Sequence, residues 1–135
     1  GLQPTAERRG QYFGSDMFFV KTVTNAIEAM REGASIESQQ DRIMTAIDDV
    51  YFLSVLYEIE GIAGNRGIND VIVHEKQIEG VIFYDIIKSS AKDSDASQTL
   101  VAEWAKDGNE MNLDLIKEKL REAFPEKSHI YRNMF

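Results

Sequence analysis

Hydrophobic positions recur at helical spacing along most of the chain, and the clearest example is the stretch from Ile68 to Lys88. Asn69 offers a helix N-cap, and Asp70 supplies an acid in the first turn. With about 100° between successive residues, one broad face of this helix collects Val71, Ile78, Val81, Ile82 and Ile86. Such a face normally enters a core, so we predict that these side chains are buried.

Ionisable residues share this predicted core face of the Ile68–Lys88 helix or lie at its edge: His74, Glu75, Glu79 and Asp85. The opposite arc carries Lys76, Gln77, Gly80 and Lys88. Burying a carboxylate costs several kcal/mol unless it is paired or bound to a cation. We therefore expect the acids on this face to have a partner.

Two helices are predicted before this stretch. Ser15 caps the first, which runs to about Gly33, and Ser35 begins a longer one that reaches about Ile62. Apolar residues surround the second half of the longer helix, so we predict that it is covered on several sides.

The glycine-rich segment Gly61–Gly67 is predicted to form the turn after the long helix. Because this link is short, the second and third helices should be antiparallel neighbours. Glu58 lies on the predicted core face just before the turn, and His74 and Glu75 follow it. These three side chains should therefore lie at similar heights along the pair.

A fourth helix is predicted over Ser94–Lys106, with Leu100, Val101 and Trp104 directed inwards. Asn112 caps a last amphipathic helix, which Pro125 ends and whose inner face holds Leu113, Ile116, Leu120 and Phe124. No stretch alternates as a strand would. We predict an all-α, up-and-down helical bundle of four main helices plus a shorter C-terminal helix, with an N-terminal arm at 1–14, the bundle at 15–125 and a tail at 126–135.

Composition narrows the classes of function. The 135 residues suffice for one domain with a real core, and the net charge of -8 argues against nucleic-acid binding. Cysteine is absent, which excludes disulfides and thiolate metal sites, and no apolar run approaches the length of a transmembrane helix. The chain begins at Gly1 rather than Met, as expected after removal of a tag or a signal peptide.

The candidate metal ligands are Glu58, His74, Glu75 and Glu79. Carboxylates and imidazoles from facing helices hold iron, manganese or zinc in helical bundles. His74 is angled away from Glu79 by about 140°, so Glu58 combined with His74 or with Glu75 forms a site more easily. The alternative is that these acids pair with lysines at the edge of the face and that His74 is an ordinary boundary histidine.

Catalysis has weaker support in the sequence. A buried carboxylate with a raised pKa could act as an acid or base, but no G-x-S-x-G nucleophile motif occurs. Val71 stands three residues before His74, so the Glu-x-x-His motif of di-iron proteins is absent. We therefore favour a non-enzymatic protein.

The run HEKQIEGVIF at residues 74–83, followed by Tyr84 and the later helix LDLIKEKLREAF, resembles the imelysin-like families. These are all-helical, extracytoplasmic bacterial proteins, some linked to iron uptake, with relatives among algal iron-assimilation proteins. Their pattern is Gly-x-His-x-x-Glu, whereas Ile72 and Gln77 occupy the Gly and Glu positions here, so only His74 matches. Such proteins contain two bundle halves, and this chain has the length of one.

The resemblance implies an extracytoplasmic binding protein that takes a metal ion or metal complex, with iron or zinc as the expected metal, in iron acquisition. In that role Glu58 and His74 would be ligands, Glu75 and Glu79 would add charge, and Tyr57 or Tyr84 would ligate or donate a hydrogen bond. The alternative is a structural or protein-interaction bundle without a small ligand, whose exposed helical face meets a protein partner. A metal-dependent hydrolase is left open solely as what the family resemblance implies. The oligomeric state is left open.

Overall fold

The chain folds as an all-α helical bundle. The computed structural model describes Pro4 and residues 18–131, with side chains described for Pro4 and residues 21–130. The helices are α1 (Phe18–Arg31), α2 (Ile36–Asn65), α3 (Asp70–Ile87), α4 (Ser94–Trp104), α5 (Leu113–Ala123) and the single turn α6 (Ser128–Tyr131). Short 3-10 helices occupy Lys88–Ser90 and Pro125–Lys127, and this part of the chain contains no strand. The predicted fold class is confirmed.

Side-chain caps fix where three helices begin. Oxygen atoms of Ser35, Asn69 and Asn112 accept hydrogen bonds from the backbone N–H groups three residues later. All three caps were predicted. Asp93 caps α4, and its carboxylate accepts from the N–H of Ala96 at 2.9 Å. The predicted cap at Ser15 and the predicted arm at 1–14 lie outside residues 18–131.

The long helix α2 is the centre of the bundle. It packs most extensively against α3 and then against α1, while α4 packs against α5. From Phe52 to Leu56 every α2 residue is buried, which confirms that this half of the helix is covered on several sides. Phe124, just after α5, completes the core, and its ring meets those of Phe52 and Tyr84 edge-on at 5.6 and 6.4 Å between centroids.

The turn between α2 and α3 is shorter than predicted. The α-helix continues through Gly61 and Gly64 to Asn65, and Gly67 supplies the left-handed conformation (φ 72°) that the turn needs. The prediction of a turn from Gly61 is therefore wrong. Packing explains the difference. A Cβ at residue 61 would lie 2.8 Å from Cδ of Lys76, so glycine at this position allows the Lys76 side chain to pack closely against α2.

The face of α3 that enters the core is the reverse of the predicted one. Val73, Gly80, Tyr84 and Ile87 are buried against the rest of the bundle. The predicted core face is exposed instead, with exposed fractions of 68% for Val71, 47% for Ile78, 55% for Ile82 and 47% for Ile86, and Val81 is half-buried. The acids on this face are therefore also at the surface.

Close packing at Gly80 accounts for this choice of face. A Cβ on Gly80 would lie 2.3 Å from the outer ring carbons of Trp104, so α3 turns its glycine towards the indole. A smaller error concerns Val101 of α4, which was predicted to be directed inwards and is exposed. On α1, Ile27 is exposed as well. Ala26 occupies the buried position beside Ile27.

The connection between α4 and α5 is held by side chains from the α2–α3 pair. The Arg66 guanidinium donates to the carbonyl oxygens of Gly108 (2.6 Å) and Met111 (2.5 Å). The amide of Gln77 donates to the carbonyls of Trp104 and Lys106. These contacts place α4 beside α3.

Candidate functional site

Lys76 lies beside Glu58, one of the predicted metal ligands. The Glu58 carboxylate is fully buried, and its Oε2 atom lies 3.4 Å from Nζ of Lys76. The same Nζ lies 3.8 Å from Oε2 of Glu79 and 5.0 Å from the centre of the Tyr57 ring. Gly61 leaves room for the aliphatic part of this lysine. Three of the six predicted site residues thus meet around an ammonium group.

The other predicted ligands lie elsewhere. His74 and Glu75 are exposed on α3, and His74 lines a surface cavity of about 260 Å³ together with Asp70 and Asp107. Within residues 18–131 no three His, Asp or Glu side chains are grouped so that they could hold a metal ion. Metal binding by these residues stays a prediction.

Tyr84 is a buried neutral hydroxyl. Its oxygen lies 2.8 Å from Oγ of Ser97 on α4, and the two share a hydrogen bond. Burial raises the pKa of the Tyr84 hydroxyl above its ordinary value and outweighs the opposing effect of the Ser97 hydrogen bond. The protonated hydroxyl therefore joins α3 to α4.

The outward face of α3 carries large apolar side chains that are exposed. We call Val71, Ile78, Ile82 and Ile86 the outer stripe. Their spacing of four or seven residues aligns them along one side of the helix. From Val71 to Ile86 the stripe extends about 22 Å, since each helical residue adds 1.5 Å. Single exposed apolar residues are ordinary on protein surfaces, whereas large exposed apolar patches are typical of interaction sites.

A depression lies beside the outer stripe, between α3 and α4. We call this cavity of about 170 Å³ the side groove, and its lining residues are Val81, Tyr84, Asp85, Val101, Trp104 and Ala105. Val81 follows Ile78 by three residues and Asp85 follows Ile82 by three, so the groove and the stripe form adjoining parts of one surface. The groove walls are mostly apolar, and Asp85 supplies the one acidic group among them.

A second charged cluster was not predicted from the sequence. Lys127 is buried, and its Nζ atom lies 2.5 Å from a carboxylate oxygen of Asp48 and 2.6 Å from one of Asp49. His129 Nε2 lies 3.2 Å from the other Asp49 oxygen. The contact joins the C-terminal segment to the middle of α2 across 78 residues of sequence. One feature of the sequence could have indicated this cluster. Two adjacent acids, Asp48 and Asp49, interrupt a part of α2 that is otherwise mostly apolar.

Comparisons with known proteins gave no relatives: no protein-family model matches the chain, and neither does any curated protein or solved structure. The likeness to the imelysin-like families therefore stays a prediction. None of the helices in residues 18–131 has the length and apolar character required to cross a membrane.

Proposed function

We propose that the chain is a protein-interaction bundle whose outer stripe binds a helical segment of another protein. The exposed row of branched apolar side chains on α3 supports this proposal most strongly. Between 47% and 68% of the surface of each is accessible. Removing such surface from water is worth about 25 cal/mol per Å², which favours covering the whole row at once.

A helix is the partner that fits the stripe. The backbone hydrogen bonds of α3 are satisfied within the helix, so α3 offers side chains and no strand edge to pair with. Apolar residues spaced by three, four and seven on a second helix would face the stripe along its length. The side groove would accept one larger side chain of that helix, as the central pockets of protein interfaces do.

A designed peptide tests the proposal. An 18-residue helical peptide would carry leucines on one face and glutamine and alanine elsewhere, and fluorescence anisotropy would measure its binding. Ile82→Glu should weaken binding by about tenfold or more, because it places a charge at the centre of the stripe. Met44→Glu is the matched control, since Met44 is an equally exposed apolar residue on α2. Failure of the native protein to bind, or equal loss in both variants, would contradict the proposal.

Metal binding is a separate prediction. Iron or zinc ligation by Glu58 and His74, a role in iron acquisition and an extracytoplasmic location stay predictions from the sequence. The ion pair between Lys76 and Glu58 favours the interaction bundle over the metal carrier, because the buried carboxylate already has a cation beside it.

A further inference from the structure

The outward side of α3 carries negative charge only. Glu75 lies within the outer stripe, Glu79 borders it on one side and Asp85 on the other. All three carboxylates are exposed. Lys76 is the single lysine or arginine between Val71 and Ile86, and it is directed towards Glu58 on α2. The apolar stripe is thus framed by acids.

The framing acids remain available to a partner. The Asp85 carboxylate lies 3.0 Å from Nζ of Lys88, and the Glu79 carboxylate lies 3.8 Å from Nζ of Lys76. The side chains of Glu79, Asp85 and Lys88 are nevertheless about half exposed. Exposed ion pairs contribute little to stability, so an incoming cation replaces them at small cost. Glu75 forms no ion pair within the described part of the chain. The net charge of -8 further attracts a cationic partner over distances of about one Debye length, 8 Å at physiological salt.

A second copy of this chain fits the stripe poorly. Two α3 helices packed face to face would bring Glu75, Glu79 and Asp85 of one copy against the same acids of the other. Like charges across an interface oppose association. The charge pattern therefore favours a different protein, and not a second copy of this chain, as the binding partner.

The side groove matches the same kind of partner. Its apolar walls, formed in part by Val81, Val101 and Trp104, suit the aliphatic stem of a long side chain. The carboxylate of Asp85 stands at the wall, where it would meet the charged end of a lysine or arginine whose stem fills the groove. A lysine or arginine side chain thus fits both the apolar walls and the acidic group of this groove.

We infer that the natural ligand of the outer stripe is a basic amphipathic helix, with an apolar face on the stripe and lysine or arginine residues against Glu75, Glu79 and Asp85. This inference rests on the proposed function and specifies the chemistry of its partner.

Three peptides that share one leucine face test the inference. Their flanking positions carry lysine, glutamine or glutamate, and anisotropy titrations compare them at low and high salt. The lysine peptide should bind at least tenfold more tightly than the glutamine peptide, and the glutamate peptide should bind most weakly. Added salt should reduce the advantage of the lysine peptide, because the charges lie at the surface.

Charge variants locate the effect on the protein. Glu75→Gln, Glu79→Gln and Asp85→Asn combined should remove most of the preference for lysine and leave the affinity for the glutamine peptide unchanged. Glu28→Gln, Glu37→Gln and Asp41→Asn combined form the control, because they change the net charge equally at exposed sites on α1 and α2.

The outcomes separate the two proposals. Equal affinity for all three peptides, with loss of binding in Ile82→Glu, would overturn the basic partner and keep the interaction face. Binding by none of the peptides would overturn both. Light scattering of the free protein provides a further check, because a dimer that Ile82→Glu dissociates would identify a second copy as the occupant and overturn the basic partner.

Discussion

At the scale of single residues, Gly80 determines how closely α4 approaches α3. The outer carbons of the Trp104 indole occupy the place where a Cβ at residue 80 would stand, at 2.3 Å. The indole N–H of Trp104 is buried without a hydrogen-bond acceptor in the part of the chain that the structure describes. The tight ring packing therefore has to compensate for an unsatisfied donor.

Gly80→Ala should destabilise the protein by about 1 kcal/mol. Overpacking costs about 1–3 kcal/mol, and the better helix propensity of alanine returns at most about 1 kcal/mol. Urea denaturation would measure the change. Gly64→Ala is the control, because no atom lies within 4 Å of its added Cβ and it should be neutral or stabilising. Equal effects of the two substitutions would contradict the packing at Trp104.

Lys76→Met should lower the free energy of unfolding by about 3 kcal/mol. The substitution removes the Lys76 ammonium from beside the buried Glu58 carboxylate, and breaking buried pairs costs about 3–5 kcal/mol, with the lower end expected for a partly exposed lysine. The double variant Glu58→Gln with Lys76→Met should recover part of the loss, as a thermodynamic cycle from urea denaturation would show. A double variant less stable than Lys76→Met alone would contradict the pairing.

The interaction bundle predicts that metal-stripped protein unfolds at the same temperature with or without iron, zinc or manganese, because the Lys76 ammonium already lies beside Glu58. A bound metal at a hundred times its dissociation constant would instead add about 2.7 kcal/mol. A rise in the midpoint that disappears in His74→Ala would contradict this expectation and support the metal site.

At the scale of the helices, sequence patterns predicted where they begin better than which face they bury. The caps at Ser35, Asn69 and Asn112 depend on local chemistry, which is readable from a few neighbouring residues. The buried face of α3 depends on a tryptophan from α4. Hydrophobicity alone favoured the side with more isoleucines, whereas packing selected the side with Gly80 and Tyr84.

The candidate site was predicted only in part for the same reason. Glu58 was correctly expected on the buried face of α2, but the partner predicted for it was a metal ion and not a lysine. Lys76 was assigned to the solvent side because α3 was placed with the wrong face inwards. The charged cluster of Lys127 with Asp48 and Asp49 joins parts of the chain 78 residues apart in sequence, a contact that spacing does not reveal.

The Lys127 cluster predicts a loss of stability at alkaline pH. Burial lowers the pKa of Lys127, but its hydrogen bonds to Asp48 and Asp49 outweigh that effect and raise the pKa above its ordinary value. A cation with a raised pKa in the folded state stabilises the protein fully below its unfolded pKa of about 10.4. That contribution is lost as the pH rises through the folded value.

Lys127→Met should therefore cost about 3 kcal/mol near neutral pH, and the difference from the native protein should shrink above about pH 10.5. Urea denaturation across this range would measure it. Tyr84 ionises over a similar range, so the informative quantity is the difference between the two proteins. Lys21→Met is the control, since Lys21 is exposed on α1. A difference independent of pH would contradict the role of the Lys127 charge.

At the scale of the whole molecule, the bundle divides its apolar residues between a core and a surface row. The core around α2 is complete without the outer stripe, because α3 already buries Val73, Tyr84 and Ile87. Within residues 18–131 the stripe therefore adds nothing to the core, and our proposal assigns it to the binding of a partner. The acids around it are the reason why we propose a basic partner.

Chemical-shift mapping tests the central claim most directly. Isotope-labelled protein would be titrated with the lysine-flanked leucine peptide, and amide shifts would be followed in the native protein and in Ile82→Glu. The shifts should concentrate between Val71 and Ile86 and around Val101, and they should vanish in the variant. Shifts centred on another face, or the same shifts in Ile82→Glu, would contradict the binding role of the outer stripe.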